Sequence, residues 1–202
     1  MLAVVSFVPL SPSLLVAVQR LPTSNAVTVV LPAEGDTLSS KLPRHVTLEL
    51  CKEVTLWDRV AALPPTATVA VVRDPMLFMP EALGLAAAVA QDQAGKYVTF
   101  VDMTGKADSR AVTFSVARHW AFSPSGSRTF VVSARTLQDD ADVWKDVWDG
   151  SAGLQWSALD MLSARACLCP MPSLAAPLPL NDATNPPGLQ WGSLQEFVNK
   201  SV

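Results

Sequence analysis

Acid–base chemistry near neutral pH would depend on two histidines, His45 and His119. His119 is the stronger candidate because Arg118 and Trp120 adjoin it in the stretch "ARHWAF". The sequence assigns it no serine, cysteine or carboxylate partner, so we favour a structural position at the end of a strand. His45, which follows Arg44 at a predicted strand start, receives the same interpretation.

The densest acidic group consists of Asp139, Asp140, Asp142, Asp146 and Asp149. A calcium-binding loop would also need a central glycine and a terminal glutamate, and this group has neither at the required position. The pattern is more typical of a solvated acidic helix or loop. We therefore expect no metal site.

The chain has 3 cysteines, Cys51, Cys167 and Cys169. Their spacing does not match a zinc site, and Cys167 lies too close to Cys169 for an easy disulfide. Because the two alternate along a probable strand, we expect buried thiols. A reducing compartment is the simpler interpretation.

The usual signatures of nucleotide-binding and catalytic sites are absent from the sequence. The 9 glycines are scattered and form neither GxGxxG nor GxxxxGK[ST]. HExxH, CxxC and GxSxG are missing as well. We therefore predict a protein that is not an enzyme, with no catalytic, cofactor-binding or metal-binding residues.

Composition indicates one domain with a surface that meets other molecules. Of the 202 residues, 50% are hydrophobic and 16% are charged, against about a quarter charged in an average soluble domain. The net charge of -3 excludes a diffuse basic field for nucleic acid. Residues 1–20 are apolar but lack a basic segment, and Pro9 and Pro12 interrupt them, so a signal peptide or membrane span is disfavoured.

The elements that would position these residues read mostly as strands. Short runs rich in Val, Thr and Phe predict strands at Ala26–Pro32, His45–Leu50, Thr66–Val72, Lys96–Asp102, Ala111–Ala117 and Arg128–Ala134. Pro80 to about Ala94 predicts a helix, because a proline opens it and Gly95 ends it. A weaker candidate helix, Asp139–Gly150, could equally be an acidic loop.

One group of residues resembles a known family. Thr55-Leu56-Trp57, the strand Pro65–Val71, and then Pro75 and Pro80 are similar to the middle of the coat proteins of tymoviruses and their marafivirus-like relatives. The later strands follow the order expected of a viral jelly roll. The resemblance implies a mainly β sandwich at 21–169, an N-terminal arm at 1–20 and a proline-rich C-terminal arm at 170–202.

The function implied by this resemblance is assembly of a capsid. Copies of the chain would form an icosahedral shell around an RNA genome, with weak or cation-mediated RNA contacts and no small-molecule substrate. The protein would assemble in the host cytoplasm and reside in the virion. The low charge suits such a role, because apolar surface becomes contact between subunits.

Two alternatives stay open. The order strand His45–Leu50, helix Lys52–Leu63, strand Ala67–Arg73, helix Pro80–Ala94 and strand Tyr97–Asp102 would make a βαβαβ unit. It resembles the catalytically silent half of ketoreductase domains in polyketide synthases, a Rossmann-like structural domain without catalysis. The chain could also be an accessory subunit of a large, possibly mitochondrial membrane, assembly. We prefer the jelly roll because the later chain is rich in strands.

Overall fold

The computed structural model describes residues 1–33, 38–52, 58–73, 75–101, 119–123, 129–141, 167–171 and 173–177. Within these ranges the strands are β1 (Leu2–Ser6), β2 (Val27–Pro32), β3 (Val46–Cys51), β4 (Thr68–Val72), β5 (Met76–Phe78), β6 (Val98–Thr99), β7 (His119–Ser123), β8 (Phe130–Ser133), β9 (Cys167–Met171) and β10 (Ala175–Pro177). The helices are α1 (Pro12–Gln19), α2 (Ala82–Asp92) and α3 (Ala134–Asp139). A 3-10 turn at Ser39–Lys41 and a helical turn at 58–61 complete the described elements.

Eight of the strands form one mixed sheet in the order β3-β2-β1-β4-β8-β6-β9-β7. The first four are parallel, with Leu2 opposite Val27 on one side of β1 and Thr68 on the other. β8 runs antiparallel to both β4 and β6, and β7 runs antiparallel to β9. The leading order 3-2-1-4 is that of doubly wound α/β folds.

The predicted jelly roll was therefore wrong. A jelly roll packs two antiparallel sheets against each other, whereas this chain has one large sheet with parallel neighbours and helices on both faces. Both β1 and β4 are buried along their whole length, as parallel strands covered on both faces usually are. The α/β alternative is confirmed in class, since β3, the helical turn, β4, α2 and β6 follow in its order.

The predicted domain boundaries change with the fold. Residues 1–20 are not an arm, because they supply β1 in the interior of the sheet and α1 on its face. Likewise, β9 runs through the predicted boundary at 169/170, and β10 lies beyond it. Residues 178–202 of the proposed C-terminal arm, and the predicted strand Ala111–Ala117, lie outside the described residues.

The core has two layers, one on each face of the sheet. The layer beneath α1 and α2 includes Val4, Leu14 and Leu83. The opposite layer includes Val5 and Leu137, and it is covered by α3 and the helical turn. None of the helices in the described ranges has both the length and the apolar character that crossing a bilayer requires.

A small second sheet extends the first layer. β5 and β10 pair antiparallel, with Ala176 opposite Leu77. Ser13 of α1 joins this sheet through its hydroxyl, which donates to the carbonyl of Met76 at 3.2 Å and accepts from the N–H of Phe78 at 3.1 Å. The start of α1 is thereby fixed against β5.

Candidate functional site at the carboxyl edge of the sheet

The topology selects one position in the sheet as the first candidate for a ligand site. In open α/β sheets, ligands bind at the carboxyl ends of the strands, where the strand order reverses. Here α1 leads from β1 to β2 on one side, and the chain returns from β3 to β4 on the other. The switch point therefore lies between the ends of β1 and β4, at Ser6 and Val72.

The residues that follow β1 are held by hydrogen bonds to β4 and to one another. The N–H of Phe7 donates to the carbonyl of Val72 at 2.8 Å, so pairing with β4 continues beyond the strand. The hydroxyl of Ser6 donates to the carbonyl of Val8 at 2.6 Å and accepts from its N–H at 3.3 Å. The first glycine of the chain is Gly35, so this turn lacks the glycines that let a backbone approach a phosphate.

The start of α1 has few free donors. Ser11 caps the helix, accepting the N–H of Leu14 on its side-chain oxygen at 3.2 Å and the N–H of Leu15 on its carbonyl at 2.9 Å. Pro12 has no N–H. Of the first three helical residues, only Ser13 can offer a backbone donor to an anion, so this helix start is a poor phosphate cradle.

Arg73 supplies the positive charge that the described residues place beside the switch point. Its guanidinium carbon lies 5.3 Å from the centre of the Phe7 ring, a distance typical of a cation–π contact. The backbone N–H of Arg73 donates to the hydroxyl of the buried Thr129 at 3.3 Å. Phe7 itself packs against the core layer on the α3 face. The aromatic ring and the guanidinium thus contact each other where a ligand would enter.

The structure does not bring the two histidines together. His119 begins β7, four strand positions from β4, which corresponds to about 19 Å at the usual strand spacing. His45 precedes β3 at the other end of the sheet and at the opposite, amino edge. Its Nε2 atom is buried and makes no hydrogen bond in the described structure. Neither histidine lies at the switch point.

Of the acidic residues, Asp139 and Asp140 fall within the described ranges. Asp140 is buried at the end of α3 and accepts a hydrogen bond from the Tyr97 hydroxyl at 2.5 Å. Asp139 lies 4.0 Å from Arg135 on the same helix. Asp142, Asp146 and Asp149 lie outside these ranges, and within them no cluster of histidine, cysteine or acidic side chains could hold a metal ion. The hydrogen bond from Tyr97 therefore gives Asp140 a role in holding α3 against the sheet.

The cysteine prediction is confirmed for the pair on β9. Cys167 and Cys169 are both buried. Burial, and secondarily the neighbouring Cys169, raises the pKa of the Cys167 thiol to about 11. Because the thiolate is the reactive form, Cys167 is an inert structural residue at neutral pH.

None of the residues predicted from the sequence lies at the switch point, where the structure places Ser6, Phe7 and Arg73. The missed signal was the combination of an apolar run with a following Ser-Pro pair, which together predict a strand leading into a capped helix. Assigning residues 1–20 to an arm removed that signal. The Leu-Trp pattern that carried the coat-protein resemblance lies at 55–57, outside the described residues, and Thr68–Val72 belongs to a central parallel strand.

Comparison with models of known protein families gave no match, and a search of curated proteins gave none either. Among solved structures, the chain is similar to a crystal structure of 4-diphosphocytidyl-2C-methyl-D-erythritol synthase. The likeness covers 98% of each chain with a TM-score of 0.48 and 14% sequence identity. At these values it assigns no function to this chain. The coat-protein resemblance was wrong, because the observed sheet is not that of a jelly roll.

Proposed function

We propose that this chain is a non-catalytic α/β domain that acts through contact with other protein, as a structural or accessory unit of a larger assembly. The observation that carries the proposal is the closed switch point. There, the residues after β1 bond to β4 and to one another, and Arg73 lies over the Phe7 ring. The predicted capsid function was wrong, because it depended on a jelly roll that the sheet does not form.

Phosphate-containing ligands need donors that the described turn after β1 and the start of α1 do not offer. A doubly wound site gives them the N–H groups of a glycine-rich turn and of a helix start. Here the N–H of Phe7 is bonded to Val72, and that of Leu14 is bonded to Ser11. Opening the site would break bonds that hold β1, β4 and α1 together.

The edges of the sheet support a role in protein contact. The strands at its two ends carry large apolar side chains that face solvent, Leu50 on β3 at 52% exposure and Phe122 on β7 at 62%. Strand edges with exposed apolar side chains favour association with another chain. The low fraction of charged residues is consistent with this role.

A ligand panel tests the proposal. Isothermal titration and thermal unfolding with nucleoside triphosphates and NAD, each with and without Mg²⁺, are expected to show no saturable binding and no rise in Tm. Saturable nucleotide binding that Arg73→Ala abolishes and Lys96→Ala preserves would overturn it. Lys96 is the matched control because it lies before β6, at the opposite edge of the sheet.

A further inference from the structure

A second concave site lies away from the switch point. A cavity of about 120 Å³ opens between the sheet and the segment that contains the helical turn at 58–61. Its floor is formed by Val5 of β1 with Thr28 and Val30 of β2. Leu63 forms a wall, and Glu49 and Arg59 stand at its rim.

The two ends of the cavity differ in chemistry. Val5 and Val30 are buried beneath the floor, and the apolar surface that reaches the cavity comes from Ala62, Leu63 and the methyl group of Thr28. At the rim, the Nε of Arg59 lies 3.4 Å from the Oε2 of Glu49, with the side chains 57% and 37% exposed. An ion pair this exposed stabilises a fold only slightly, so its two charges are available to a ligand at little cost.

We propose that this cavity binds a free aliphatic α-amino acid. The ligand's carboxylate pairs with Arg59, whose planar guanidinium suits a two-oxygen contact. Its ammonium pairs with Glu49, and its side chain packs against Ala62, Leu63 and the Thr28 methyl group, above the buried Val5 and Val30. A ligand with both charges replaces each partner of the existing ion pair, whereas a ligand with one charge leaves a rim residue unpaired.

The volume sets the size of the side chain. An apolar cavity of about 150 Å³ accommodates benzene, with its six carbons. The smaller cavity here, about 120 Å³, suits the three or four carbons of valine or leucine. Aromatic side chains are too large for it, which makes phenylalanine a size control for leucine.

The first test is isothermal titration of the full chain with L-leucine. We expect saturable binding with a Kd of about 1 mM or tighter. We also expect binding at least tenfold weaker for 4-methylpentanoate, which lacks the ammonium, and for 3-methylbutylamine, which lacks the carboxylate. Equal binding of leucine and either analogue would contradict the zwitterion assignment, and the absence of saturable leucine binding would contradict the site.

Matched variants locate the ligand. Arg59→Gln and Glu49→Gln remove one rim charge each at exposed positions, so the chain is expected to fold, and each is expected to weaken leucine binding at least tenfold. Arg73→Gln, at the switch point, is expected to leave it unchanged. Loss of binding in Arg73→Gln with retention in Arg59→Gln would place the ligand at the switch point, and would contradict both this proposal and the closed switch point on which the proposed function rests.

A measurement on the unaltered chain completes the design. Leucine is expected to shift the methyl NMR signals of Val5, Val30 and Leu63, and to leave those of Val4 and Leu83 in the opposite layer unmoved. Shifts confined to the opposite layer would overturn the proposal. Because the nucleotide panel concerns a different edge of the sheet, this site and the proposed function can fail independently.

Discussion

Ser13 provides a sharp test of how α1 holds the second sheet. The N–H of Met79 donates to the carbonyl of Leu174. Since backbone groups alternate in direction along an antiparallel strand, the Met76 carbonyl and the Phe78 N–H point away from β10. Both instead bond to the Ser13 hydroxyl, at 3.2 and 3.1 Å. One side chain thus takes the place of a neighbouring strand.

Ser13→Ala leaves two buried backbone groups without partners. Each unsatisfied group costs about 1–3 kcal/mol. Part of this combined cost is offset, because the variant no longer has to bury the serine hydroxyl. We therefore expect the free energy of unfolding to fall by about 2–3 kcal/mol. For a chain of this size, that corresponds to a fall in Tm of about 4–12 °C.

Urea unfolding and amide hydrogen exchange measure the effect. The Phe78 amide is expected to lose protection in Ser13→Ala, while the Met79 amide keeps its bond to Leu174 and its protection. Ser24→Ala is the control, because Ser24 is exposed and its loss is expected to stay within about 0.5 kcal/mol. A Ser13→Ala chain as stable as this control, with Phe78 still protected, would refute the reasoning.

Three further predictions concern a buried hydrogen bond, a helix cap and a buried thiol. Tyr97→Phe leaves the buried Asp140 carboxylate without the phenol's hydrogen bond, and the free energy of unfolding in urea is expected to fall by about 1–3 kcal/mol; an unchanged midpoint would contradict this. Ser11→Ala removes the α1 cap and is expected to cost about 0.5–2 kcal/mol in the same assay, whereas Ser11→Asp, which can still cap, should retain most of the stability. At pH 8 the native Cys167 thiol is expected to resist iodoacetamide while the half-buried Cys51 reacts, because a pKa of about 11 leaves Cys167 protonated until strongly alkaline pH. The pKa of Cys167 in the folded chain lies above the ordinary 9.0, so the unfolded chain releases this proton first. The free energy of unfolding therefore falls as the pH rises from about 9 to 11. A Cys167→Ala chain that loses the same stability over this pH range would show that the thiol is not the cause.

Local structure was predictable from the sequence to a useful degree. The predicted strands at Ala26–Pro32, His45–Leu50 and Thr66–Val72 correspond to β2, β3 and β4, and the predicted helix at Pro80 corresponds to α2. These elements depend on side-chain periodicity, turn residues and helix ends, which a single sequence carries. The predicted strand Lys96–Asp102 was too long, since β6 covers Val98–Thr99.

The arrangement of the strands was not predictable in the same way. Whether Thr68–Val72 pairs parallel or antiparallel depends on partners far along the chain, and β4 has β1 on one side and β8 on the other. The candidate site was missed for a related reason. Ser6, Phe7 and Arg73 form no motif, and only the crossing from β3 to β4 places them at one edge.

The position of β1 has a consequence for synthesis of the chain. Leu2–Ser6 leaves the ribosome before β4, yet its pairing with β4 needs residues up to Val72. At about 5–20 residues per second, that delay is about 3–13 s. During it, an apolar strand has one open side, so the nascent chain is a natural client for chaperones that bind short extended segments.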